Sequence, residues 1–104
     1  MVALFKMKMK MEKNKKFKAE NNEWHNGFQM TFANGCTISV QFNGRSYCDQ
    51  GYTTAEVAAW NSSGDWMIWN GDNWAVLTNG DSDVMSHQTT DDVAMLISEL
   101  VKLK

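Results

Sequence analysis

Residues 28–42, FQMTFANGCTISVQF, constrain the fold more than any other stretch. Phe28, Met30 and Phe32 alternate with Gln29 and Thr31. After Asn34-Gly35, Cys36, Ile38, Val40 and Phe42 alternate with Thr37, Ser39 and Gln41. A period of two on both sides of a turn signal predicts a β-hairpin with one apolar and one polar face. The faces then select the loop. A two-residue loop, Asn34-Gly35, sets Phe32 against Thr37 and mixes the faces. A three-residue loop, Ala33-Asn34-Gly35, sets Phe32 against Cys36, Met30 against Ile38 and Phe28 against Val40. Directly opposed residues share a face, so the longer loop is expected, with Gly35 left-handed. The polar face is uncharged, which suits solvent or a partner.

The same turn chemistry recurs. Five of seven glycines follow asparagine, at 27, 35, 44, 71 and 80, and proline is absent. Asn-Gly favours tight turns, so short strands joined by turns are expected. At 104 residues the chain is read as one domain with a modest core.

A second hairpin is expected over residues 55–69, AEVAAWNSSGDWMIW. With residues 61–64 as its loop, Ala59 opposes Trp66 and Val57 opposes Ile68. Trp60, Met67 and Trp69 then share the outer face, an apolar patch of the kind that marks partner surfaces. A five-residue loop pairs Trp60 with Trp66 instead. A helical start at Thr53-Thr54-Ala55-Glu56, a capping-box pattern, is the other alternative. Residues 70–73 read as a turn and residues 74–78 as a short strand, with Val84 and Met85 extending the sheet.

Residues 89–104, TTDDVAMLISELVKLK, form the one strong helix signal. Thr89 or Thr90 can cap it, and Asp91 and Asp92 suit its N-terminal end. Val93, Leu96, Ile97, Leu100 and Leu103 make one apolar stripe, expected to lie on the apolar face of the sheet.

Charge divides the chain. Residues 1–18 carry seven lysines and one glutamate, whereas residues 19–104 carry three basic and eleven acidic side chains, a net −8. The body therefore lacks the basic face of a general nucleic-acid binder. The Lys/Met-rich leader, residues 1–18, reads as poorly ordered or as an edge strand guarded by lysines, with Phe5, Met7, Met9 and Met11 in alternation. Residues 19–27 read as a polar connector. Such an edge strand also offers a route to a homodimer.

No strong chemical motif is present. Cys36 falls on the core face; Cys48, His25 and His87 have no metal-ligand spacing. Asp72, Asp81 and Asp83 lack a calcium loop's oxygen ladder and glycine. A Cys48–His87 nucleophile pair has no indicated orienting residue. No cofactor, metal or catalytic residue is expected. Cysteine usage and the absence of a membrane-spanning run make a cytoplasmic protein the simplest expectation. Arg45, Tyr47 and Tyr52, in and beside the turn-rich loop after Phe42, join Trp60, Met67 and Trp69 as candidate binding residues.

Taken in order, FQMTFANGCTISVQF, YCDQG, TAEVAAWNSSGDWMIW and DVMSHQTTDDVAMLI resemble a group of small uncharacterised proteins encoded by tailed bacteriophages. The likeness covers about residues 24–98 and departs in the leader and between Trp69 and Asp83. It implies a phage accessory protein that binds a host or phage protein in the host cytoplasm. The fold expected is α+β, an antiparallel sheet of about four to five strands with one C-terminal helix on one face. The rival function is nucleic-acid contact through the basic leader, with aromatics as stacking platforms.

Overall fold

The computed structural model describes residues 15–21, 26–42 and 53–104. Its elements are β1 (Lys16–Asn21), β2 (Asn26–Thr31), β3 (Thr37–Gln41), β4 (Thr54–Trp60), β5 (Trp66–Trp69), β6 (Trp74–Val76), β7 (Met85–Thr89) and α1 (Thr90–Val101). The expectation of four to five strands is overturned: the protein is mostly sheet, with seven antiparallel strands in the order β1-β2-β3-β4-β5-β6 and β7 also on β4. The single C-terminal helix is as expected. Two of the additional strands have weak sequence signals. β1, KFKAEN, takes in the end of the leader and the start of the presumed connector. β7, MSHQT, is almost wholly polar. The strand anticipated around residues 5–11 and the loop at 43–51 lie outside the described residues.

The first hairpin has the expected register. Phe28 opposes Val40 and Met30 opposes Ile38. Phe32 N–H donates to the Cys36 carbonyl at 2.9 Å, and Gly35 N–H to the Phe32 carbonyl at 2.9 Å. Gly35 takes φ +85°, the left-handed residue that a three-residue loop needs. Cys36, on the core face, is buried, and burial pushes its thiol pKa above the ordinary value. It is therefore held as a neutral thiol and not as a nucleophile.

β4 is the hub. One edge pairs with β3 from Thr37↔Trp60 to Gln41↔Glu56. The other edge is divided: β5 takes Ala59 and Trp60, and β7 takes Thr54, Ala55 and Val57. Between Ala55↔Gln88 and Val57↔Met85 the register shifts, so Ser86 and His87 oppose Glu56 alone. His87 takes φ 52°, which marks this bulge. Thr54 is thus in a strand and not a helical turn.

The second hairpin departs from the favoured register. Asn61 N–H donates to the Asp65 carbonyl, and Asn61 Oδ1 accepts from the N–H groups of Ser63 and Asp65, all within 3.0 Å. These bonds close a five-residue loop, residues 61–65, that pairs Ala59 with Met67 and Trp60 with Trp66. One extra loop residue exchanges the faces of the whole of β5.

α1 begins where β7 ends. Thr89 is both the last residue of β7 and the N-cap. Its hydroxyl accepts from Asp92 N–H, and its own N–H donates to the Asp92 carboxylate, a reciprocal capping box. The helix packs against β4 and β7. Ala55 and Ala59 on β4 are small enough to admit it closely, and Leu96 and Leu100 are 1% and 0% exposed in the shared core. Val93, Ile97 and Leu103 complete the expected stripe at its margins. At its far end Asn34, in the first hairpin's loop, donates from Nδ2 to the carbonyls of Leu100 and Leu103, both at 2.9 Å. The helix is therefore tied at both ends to the sheet it covers. No helix among the described residues is long and apolar enough to cross a membrane.

Candidate functional site

A helix is about 10 Å across and strands are about 4.8 Å apart, so one helix covers roughly two strands. The helix-side face is consequently open towards the sheet edges. Beside α1, Met30, Phe32, Ala33 and Val101 line a concavity of about 400 Å³, with Phe17 at its rim. Phe17 is 79% exposed, and its sequence neighbours Lys16 and Lys18, which register assigns to the other face of the strand, are exposed as well. At the helix's N-terminal end, Phe28, Val40, Phe42 and Val93 line another concavity, of about 270 Å³.

The face away from the helix differs in chemistry. Register assigns Gln29 and Thr31 of β2, Thr37, Ser39 and Gln41 of β3, and Glu56, Ala58 and Trp60 of β4 to this side, with Trp66 of β5. Thr37, Ser39 and Gln41 are buried. The hydroxyls of Thr31 and Thr37 are 2.9 Å apart, and Gln41 Nε2 donates to Ser39 Oγ at 3.0 Å. The Trp60 and Trp66 rings lie 5.6 Å apart at 34°, a tilted pair created by the five-residue loop. With Gln29, Ser39, Gln41, Glu56, Ala58 and Val84 they surround a concavity of about 260 Å³. Ala58 lies between Glu56 and Trp60 on the same face of β4, and its small side chain leaves the dip between them.

The expected patch of Trp60, Met67 and Trp69 does not form. Met67 is 2% exposed in the core, and Trp69 packs against that core. Trp69 meets Trp74 edge-on at 5.7 Å, on the helix side of the sheet. Trp74 Nε1 is buried with no hydrogen-bond partner among the described residues. Trp60 alone of the three faces away from the helix, and its partner is Trp66, which the favoured register had placed in the core. The signal for the correct pairing was in the sequence: Asn61 and Asp65 can close a five-residue loop. Arg45, Tyr47 and Tyr52 lie outside the described residues, as do His25 and Cys48. His87 is exposed at the bulge. Among the described residues no three His, Cys, Asp or Glu side chains come together as a metal site. Comparison with family models, curated proteins and solved structures finds no match.

Proposed function

We propose that this chain is a small, non-enzymatic accessory protein that acts by binding another protein through the Trp60–Trp66 face of its sheet. The observation that carries this reading is the tryptophan pair standing over a concavity on the face the helix leaves uncovered. Tryptophan is a favoured interface anchor because it buries a large rigid surface at small entropic cost. The motif likeness to tailed-phage proteins supports a phage origin and a host or phage partner met in the host cytoplasm. Affinity capture from infected-cell lysate tests the reading. A protein retained by the wild type is expected to be lost from a Trp60→Ala, Trp66→Ala variant of unchanged thermal stability. Retention of the same protein by that variant counts against it.

A second reading is favoured by the setting of Phe17, an exposed ring on a lysine-rich edge strand. Such an arrangement can stack a base while the lysines meet phosphates. It predicts single-stranded nucleic-acid binding that weakens steeply with salt, with a Phe17→Ala variant losing affinity. Absence of binding at low ionic strength removes it.

A further inference from the structure

We infer that the Glu56–Trp60–Trp66 concavity receives one cationic side chain, an arginine or lysine presented by a basic segment of the partner. The inference rests on the protein-binding reading and names the chemistry of its site. Glu56 is half-buried, and its carboxylate makes no hydrogen bond or ion pair among the described residues. A carboxylate without a partner inside the protein can accept from a donor that a binding partner brings. Gln29, Ser39 and Gln41 each have an interaction within the protein, that of Gln41 with Ser39 made through Nε2, while Gln41 Oε1 is a buried acceptor with no hydrogen-bond partner among the described residues. The Glu56 carboxylate is an acceptor, whose complement is a group that only donates, a guanidinium or ammonium.

The aromatic walls point the same way. Trp is the best cation–π surface among the side chains, and two indoles 5.6 Å apart border the dip. Glu56 and Trp60 are four residues apart on one strand face, about 13 Å between Cα atoms. A long side chain can lay its alkyl stem over Ala58 and carry its charge between carboxylate and ring. Among the described residues, the lysines that share this face, Lys16 and Lys18, are on β1, three strands or about 14 Å from β4, beyond a Debye length at physiological salt. Residues 19–104 carry a net −8, opposite in sign to a basic segment, within a chain of net −2. A neutral sugar, the rival occupant for a tryptophan-lined dip, needs several free hydrogen-bonding groups, and here most are engaged.

The test follows the Trp60 and Trp66 indole N–H signals by NMR in the full chain. The probes are a tetra-arginine peptide, its citrulline counterpart (an isostere without charge) and a neutral trisaccharide. The arginine peptide is expected to shift both indole signals, and the citrulline peptide to leave them in place. Glu56→Gln should weaken the arginine peptide by about ten-fold or more, in line with loss of a charge-assisted bond. Three results would overturn the inference: equal response to arginine and citrulline, a response to the trisaccharide in place of the peptide, or an unchanged affinity in Glu56→Gln. Shifts produced by salt alone would assign the site to the chain's own lysines and overturn it too. If the peptide fails while a captured partner still requires Trp60 and Trp66, the cation assignment falls and the binding reading stands. If the partner is indifferent to both tryptophans, the binding reading itself falls.

Discussion

Gly27→Ala is expected to destabilise the protein by about 3 kcal/mol or more, a large share of the total stability of a domain this size. Gly27 opposes Gln41 in the ladder between β2 and β3. A Cβ added there would overlap the Val40 carbonyl oxygen and crowd the Val40 carbonyl carbon and Gln41 Cα. Those atoms are backbone in an interior strand, so no side-chain rotation relieves the contact. The ladder itself must move, and with it the 2.9 Å bond from Phe42 N–H to the Asn26 carbonyl. Urea unfolding measures the effect, and a midpoint within error of wild type would show that β2 does not approach β3 as described.

Asn34→Ala is expected to cost about 2–3 kcal/mol, lowering Tm by roughly 10 °C or more. Three bonds are lost: the two that Nδ2 gives to Leu100 and Leu103, and the one that Oδ1 accepts from Cys36 N–H at 3.0 Å. The carbonyls at a helix C-terminus have no partners within the helix, so Asn34 supplies what α1 cannot. Asn34→Asp is the sharper variant. It keeps the acceptor for Cys36 N–H but removes both donors and sets a negative charge beside the negative end of the helix dipole. Thermal melts should rank Asp at least as destabilising as Ala at neutral pH. A milder Asp variant would contradict the cap.

These two residues show where reading the sequence stopped short. Asn34 is legible as a turn residue, because Asn-Gly in an alternating frame predicts local geometry. Its contact with the helix spans 66 and 69 residues and has no local signature. Gly27 follows an asparagine and reads as a turn, yet it lies within β2 because β3 approaches it too closely for a side chain.

The first hairpin was legible to the single residue because its two strands alternate strongly, so only one register separates the faces. The second was not, because alanines fall on both faces of β4: Ala55 and Ala59 on one, Ala58 on the other. Without contrast, loop length alone decides the face, and a four-residue loop and a five-residue loop give opposite answers. That single ambiguity moved Met67 and Trp69 into the proposed surface and Trp66 out of it. The helix was legible from its threonine cap to the Leu96 and Leu100 stripe, because its 3.6-residue period is long and uninterrupted, but it ends at Val101 and not at Lys104. β7 has no hydrophobic alternation beyond the Met85 at its start, and β1 alternates Phe17 and Ala19 with Lys16 and Lys18 across the boundary between the expected leader and the expected connector. Lysines on β1 are what an edge strand carries to discourage further pairing.

The central claim is that Trp60 and Trp66 form a binding surface while Met67 holds the core. The most direct test measures partner affinity and Tm together for the Trp60→Ala, Trp66→Ala double variant and for Met67→Ala. Lost affinity with near wild-type Tm is expected in the tryptophan variant, and a markedly lowered Tm in Met67→Ala. Wild-type affinity in the tryptophan variant, or loss of binding without loss of stability in Met67→Ala, would contradict it.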